Sequence, residues 1–188
     1  MTRPSLITIG NDCYFNKGLT LLTHDWVTRT FIYSGREFLP SSGRIKIGNN
    51  VNTAYNVTIL KGVTIGDNVF IGANSVVTKD IPSNSIATGS PCRVIMNIDE
   101  FHSKREIKCI KEAFDYAVSI QQRFNRKPKI EDFREEFVLF VDGDKIDQYP
   151  EISDLIKSQL GPSYNVYKKH HKAMFASFEE FLTAAGVQ

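Results

Sequence analysis

The stretch "IGNNVNTAYNVTILKGVTIGDNVFIGANSVVTKDIP", residues 47–82, divides into six hexads without remainder. Their first positions are Ile47, Thr53, Ile59, Ile65, Ile71 and Val77; their fifth positions are Val51, Val57, Val63, Val69, Ser75 and Ile81. The second position is small at Gly48, Ala54, Gly66 and Gly72. Upstream, "IGNDCY", "FNKGLT" and "LLTH" keep the same register from Ile9, Phe15 and Leu21. A six-residue period is neither the helical 3.6 nor the strand period of 2. It fits a short strand and a corner, with the first-position side chain pointing inward and a small residue after it to allow a tight corner. Three such faces close one triangular coil, and stacked coils turn the recurring apolar residues into continuous interior ladders. An ordinary sheet of short strands does not require apolar residues to recur in sixes.

Bulk properties set the frame. With 188 residues, the chain holds one domain with an extension, or two small ones. A net charge of +2 gives no reason to invoke nucleic acid. Residues 1–96 carry nine Lys/Arg and five Asp/Glu, leaving fourteen and sixteen for 97–188, so an anionic ligand is expected in the first half. No early apolar run resembles a signal peptide, and no segment approaches the length of a membrane span. Cys13, Cys92 and Cys109 have neither metal nor disulfide spacing, which makes a reducing cytoplasm the expected home and leaves no metal site expected.

The hexads, together with "GVTIGDNVFIGANSVVTKDIPSNSIATGSPCRVI" (residues 62–95), resemble the hexapeptide-repeat acyltransferases. The resemblance covers about residues 5–96 and implies a mainly β fold, a left-handed parallel β-helix over 1–96. Its handedness is the family's, since the general crossover rule favours the other hand. It also implies homotrimers with acyl-CoA in the groove between neighbouring subunits. Within this family the closest likeness is to O-acetyltransferases of bacterial surface polysaccharides.

The hexad wall arrives at "THD", residues 23–25, and then leaves the pattern for a loop insertion, 25–44. A lone histidine is usually a surface or satisfied core residue, but binding residues concentrate where a scaffold gives way to a loop. In the resembling enzymes, a histidine at this place is the catalytic base, which makes His24 the expected base. His102 falls on a predicted helix, and "KKHHK" (His170, His171) reads as a solvated helix face. Asp25 either orients the imidazole, binds the acceptor or points to solvent. Trp26, Phe31 and Tyr33 either stack on a sugar ring or cover the open end of the loop.

By resemblance, Ala73, Thr78 and Lys79 match cofactor-lining positions for acetyl-CoA. "GSPCRVI" matches the segment around the adenine end, with Pro91 setting the backbone and Arg93 offering charge to a phosphate. Lys79 and Arg93 equally read as plain solvated charges. Three residues depart from the family pattern. Thr53 replaces the usual Ile or Val, Tyr55 stands where a smaller polar residue often lies near CoA, and Asn52 replaces an aromatic found in several relatives. A polar ladder residue weakens its coil unless the hydroxyl finds a partner.

After Ile95 the period becomes helical, and residues 97–188 are expected to form an α-helical extension. Phe101, Ile107, Ile110, Phe114, Ala117, Gln121 and Phe124 form the expected buried stripe, and "NRKPK" ends that helix. Further helices are expected in "IEDFREEFVLF" (130–140), in "PEISDLIKSQL" (150–160), closed by Gly161-Pro162, and in "SFEEFLTAAG" (177–186), opened by a Ser177/Glu180 capping box.

These readings lead to an acetyl-CoA-dependent O-acetyltransferase acting on a sugar, sugar-nucleotide or polysaccharide acceptor, by direct transfer with His24 as base. Two alternatives stay open. One is acetylation of a small molecule such as serine, a simple sugar, an amino sugar or an antibiotic. The other is a non-catalytic trimeric scaffold or sugar-binding protein.

Overall fold

The computed structural model describes residues 3–187. They fall into two compact units that meet in sequence at Lys104/Arg105. The first is a left-handed parallel β-helix. One face stacks β1 (Ile7–Ile9), β4 (Ile45–Ile47) and β7 (Thr64–Ile65). The second stacks β2 (Tyr14–Phe15), β5 (Val51–Thr53), β8 (Val69–Ile71) and β10 (Ser85–Thr88), with β11 (Arg93–Asn97) added antiparallel on β10. The third stacks β3 (Thr20–Leu22), β6 (Thr58–Leu60) and β9 (Val76–Val77).

Register follows the hexads. Ile47 pairs with Ile65, Thr53 with Ile71 and Ile59 with Val77, each eighteen residues on, or three hexads. Ile9, Phe15 and Leu21 pair with Ile47, Thr53 and Ile59, thirty-eight residues on, because the 25–44 insertion intervenes. First and fifth positions both point inward: Ile47, Val51, Val57, Ile59, Val69 and Ile71 are all buried. Thr53 is buried in the same ladder, and its Oγ1 has no hydrogen-bond partner among the described residues.

Two details of the repeat differ from expectation. The corners do not turn on the second-position glycines. Left-handed φ values fall on fourth-position asparagines, 51° at Asn50, 58° at Asn56, and 56° at both Asn68 and Asn74. Asparagine tolerates this region better than most side chains. The asparagines also form a ladder, Asn50 Nδ2 donating to Asn68 Oδ1 at 3.0 Å and Asn68 Nδ2 to Asn84 Oδ1 at 3.0 Å. Gly48 and Gly66 are small for another reason. A Cβ on Gly48 would lie 2.8 Å from the Gly66 carbonyl carbon and oxygen, and one on Gly66 would lie 2.5 Å from Ser83 N. The coils touch there. The second difference is Ile81, expected at a fifth position. It bridges Ile65 instead, so the last coil is two residues short and Ile81 takes a first-position place.

The second unit gathers Phe133, Phe137, Phe140 and Phe181 with Ala113 and Ala117 into one core. α2 (Ile98–Phe124) matches the expected helix, but its buried face does not match the expected stripe. Ala113, Ala117 and Ile120 are buried with Ile110 and Phe114 packed beside them, whereas Ile107 is 80% exposed and Phe124 61%. The face centres on two alanines, which carry little hydrophobic signal. Between 130 and 140 the chain forms two short 3-10 turns, Ile130–Asp132 and Glu136–Leu139, rather than one helix. Phe133, Phe137 and Phe140 keep helical spacing and are all buried, but Asp132 closes the first turn by accepting from Arg126 and the Lys129 amide.

α3 (Pro150–Leu160) ends at Gly161 with φ of 48°. α4 (Tyr164–His170) carries the first part of "KKHHK" as expected of a helix, but its end changes the role of His171. That ring stacks on Tyr167 at 4.3 Å, and its Nε2 lies 2.7 Å from Val138 O, so it is a packing residue and not a solvated one. α5 (Phe178–Ala184) opens with Ser177 Oγ accepting from Glu180 N, while Glu180 reaches the Ala176 amide in place of Ser177's own. Among the described residues, no helix is long and apolar enough to cross a membrane.

Candidate active site

Thr23, directly after β3, is buried, and its carbonyl accepts from Gly43 N at 2.9 Å. Its Oγ1 accepts from Arg3 N at 2.8 Å. His24 next to it forms an antiparallel bridge with Ser42. These contacts pinch the 25–44 insertion shut at its base.

The insertion is not an open loop. α1 (Val27–Tyr33) occupies its first half, and Leu39 N donates to the buried Thr28 Oγ1 at 3.1 Å, folding the second half back onto it. Asp25 Oδ1 accepts from Val27 N at 3.1 Å, at the start of α1. Asp25 Oδ2 accepts from Ser41 Oγ at 2.8 Å and from the Lys61 ammonium. Lys61 also donates to Ser41 Oγ. The Lys61 bond first, then Ser41 and the Val27 amide, hold the Asp25 carboxyl down at about 2, because each favours the anion.

The folded insertion leaves a cleft of about 290 Å³. His24, Trp26, Phe38 and Pro40 line it together with Arg3, Thr28 and the Asp25–Ser41 pair. The rings of His24 and Trp26 meet edge to face, with centroids 6.1 Å apart. His24 Nδ1 is buried with no partner among the described residues. Asp25, bonded to Val27, Ser41 and Lys61, is therefore not what orients the imidazole. Tyr33 lies outside the cleft, 79% exposed, with the Arg29 guanidinium 5.4 Å above its ring. Phe31 does not line the cleft either.

Apart from Arg93, which opens β11 on the second face, the expected cofactor residues fall along the two borders of one flat face, that of β3, β6 and β9. Tyr55 and Ala73 stand at the corners leading into β6 and β9, both exposed, with Asn74 N donating to Tyr55 O at 2.9 Å. Pro91 lies beside β9, since Cys92 N donates to Val76 O at 2.8 Å; the Ser90–Pro91 peptide is cis. Thr78 and Lys79 follow β9 directly on the opposite border, exposed. The eighteen-residue register puts Lys79 one coil beyond Lys61. Arg93 is exposed, its Nη1 donating to Cys92 O at 2.8 Å. His24, Asp25 and Trp26 are thus brought together in one cleft, and the cofactor candidates frame the wall that runs up to it. Among the described residues no group of His, Cys, Asp and Glu has the arrangement of a metal site.

Sequence reasoning missed Lys61, Ser41, Arg3, Phe38 and Pro40. Lys61 was recoverable: adding the insertion to the coil stagger sets it over Thr23, one residue before His24. The others come from the fold of the insertion, which has no repeat to read.

Comparison with known proteins gives consistent results. The profile of the bacterial transferase hexapeptide family (six repeats) matches residues 44–79, and that of the hexapeptide repeat of succinyl-transferase matches 62–98. The galactoside O-acetyltransferase of Escherichia coli (strain K12) is 45% identical over 95 residues, 50% of this chain and 45% of that protein. A putative acetyltransferase of Staphylococcus aureus (strain Mu50 / ATCC 700699) is 49% identical over 67 residues, 36% of this chain and 34% of that protein. The chain therefore spans less than half the length of these relatives. Among solved structures, a galactoside acetyltransferase in complex with coenzyme A shares 42% identity over 52% of this chain and 48% of that one, with a TM-score of 0.43.

Proposed function

We propose that this chain, whose residues 44–98 are hexapeptide repeats of the bacterial transferase type, moves an acetyl group from acetyl-CoA to a sugar hydroxyl at the His24 cleft. One observation carries the reading: His24 stands where the coil wall ends, its ring lining a cleft with aromatic and proline walls. Similarity to a galactoside O-acetyltransferase over half the chain supports the reaction class.

A sugar hydroxyl is a weak nucleophile at neutral pH because it holds its proton. The neutral His24 imidazole removes that proton as the oxygen attacks the thioester carbonyl. The tetrahedral intermediate carries an oxyanion that a backbone N–H or hydroxyl stabilises. On its collapse the C–S bond breaks, and the imidazolium returns the proton to the CoA thiolate. Direct transfer needs no serine or cysteine nucleophile. Trp26 and Phe38 offer apolar ring faces to the acceptor, and Asp25 keeps its charge at the margin. The pantetheine arm lies along the flat β3–β6–β9 face, with Ala73, Thr78 and Tyr55 at its borders and Lys79, Pro91 and Arg93 toward the nucleotide end.

In this reading the protein works as a homotrimer, with a neighbouring copy closing the CoA groove. Its acceptor is a sugar, sugar nucleotide or polysaccharide precursor in the cytoplasm. The three free cysteines are in keeping with that compartment.

Titration calorimetry with CoA and acetyl-CoA, paired with thiol release in the presence of galactosides and sugar nucleotides, tests the reading. Wild-type protein binds both cofactors and releases CoA when an acceptor is present. His24→Ala keeps binding but loses roughly 100- to 10,000-fold in kcat. Absence of binding in both proteins overturns the assignment.

A further inference from the structure

Lys61 does not itself line the cleft, yet it holds two residues that do. Its ammonium donates to Asp25, the first residue of the insertion, and to Ser41, near its end. Asp25 and Ser41 are also bonded to each other at 2.8 Å. Both line the cleft, as do their chain neighbours Trp26 and Pro40. Lys61 itself follows β6, part of the rigid coil wall.

We propose that Lys61 is a positioning residue that clamps the two ends of the 25–44 insertion to the coil and thereby fixes the acceptor side of the cleft. This rests on the transferase reading. The wall and the insertion then have separate tasks: the wall carries the acyl donor, and the clamped insertion selects the acceptor. The Asp25 carboxyl, held near 2, stays anionic across the working range, so the clamp is permanent and not switched by pH. Ion pairs open to solvent contribute little to global stability, so removing this half-buried one should leave the coil folded and change the insertion locally. The other ties, Gly43 N to Thr23 O and Leu39 N to Thr28 Oγ1, close the base and fold the interior of the insertion, but neither joins its two ends through a side chain of the next coil.

The test uses the full chain carrying Lys61→Met or Lys61→Arg. Hydrogen exchange on the unliganded protein compares peptides from 25–44 with peptides from 45–77. Steady-state transfer with methyl galactoside as the probe acceptor gives separate KM values for acceptor and acetyl-CoA. Lys61→Met should speed exchange in 25–44 alone and raise acceptor KM about tenfold, with acetyl-CoA KM within about twofold of wild type. Lys61→Arg, which keeps a cation able to bridge the two oxygens, should fall between the two. Unchanged exchange in 25–44, or both KM values rising together, overturns the proposal. If wild-type protein transfers no acetyl group to methyl galactoside or to any other galactoside or sugar nucleotide, the functional reading fails, while exchange still decides the clamp. Should Lys61→Met not fold, Ser41→Ala removes the clamp's second anchor and must show the same local exchange change.

Discussion

Thr53 pairs with Ile71 in the ladder that lines the coil interior, and its hydroxyl faces that ladder without a partner among the described residues. Its neighbour on the other side in register is Phe15. A buried polar group without a hydrogen bond is destabilising. Thr53→Val keeps the shape and removes the orphaned oxygen, so it should stabilise the coil by about 1 kcal/mol. A higher urea midpoint for the β-helix unit is the expected result. A lower midpoint would mean the hydroxyl has a partner in solution.

The corner chemistry separates two residue types by mechanism. Gly48→Ala pushes a methyl into the Gly66 carbonyl and should destabilise by about 1–3 kcal/mol. Asn68→Ala meets a conformational penalty instead, about 1–2 kcal/mol at a φ of 56°. Asn68→Gly should recover most of that penalty but not the bond to Asn84. Thermal unfolding of the three variants gives the comparison directly.

Acid should open the insertion late. The Asp25 carboxyl sits near 2 in the folded chain against an ordinary value of 3.8, chiefly because of Lys61. A depressed folded pKa contributes stability that is fully present above the unfolded value and lost as pH falls through the folded one. The fluorescence of Trp26, the chain's one tryptophan, should therefore hold steady down to about pH 4 and change between about 4 and 2. A transition centred near pH 6 would assign the clamp to another group.

In the second unit, burial pushes the Tyr167 phenol up, and its hydroxyl donates to Val141 O at 2.6 Å. Tyr167→Phe leaves that buried carbonyl short of a donor. Chemical denaturation should show a loss of about 1–2 kcal/mol confined to the helical unit.

The coil was legible because its cause is periodic: Ile47, Ile59 and Ile65 recur at intervals that only a hexad coil buries. The end of the wall at His24 was legible for the same reason, as a break in that rhythm. What the period cannot reveal is why a small residue is small. Gly48 reads like a turn glycine and is a contact glycine, while the turn belongs to Asn50. The Lys61 clamp and the Phe38–Pro40 wall arise from chain folding over the insertion, where contacts are not spaced by any repeat. The stripe of α2 misled because alanines at 113 and 117 define the buried side more strongly than the larger apolar residues around them.

The far end of the coil stack has a consequence for association. A parallel stack that simply stopped would present three rows of unpaired amides and carbonyls, each a template for another chain's backbone. Here each of the three rows meets chain from beyond the last full coil. Ile81 exchanges bonds with Thr64 and Gly66, Gly89 and Cys92 pair with Val76, and the reversed strand β11 lies along β10. The reversal matters most, because no further coil can continue in register past a strand running the other way. The short last coil and the antiparallel strand end the parallel stack, so another copy's coil finds no parallel ladder to extend at this end.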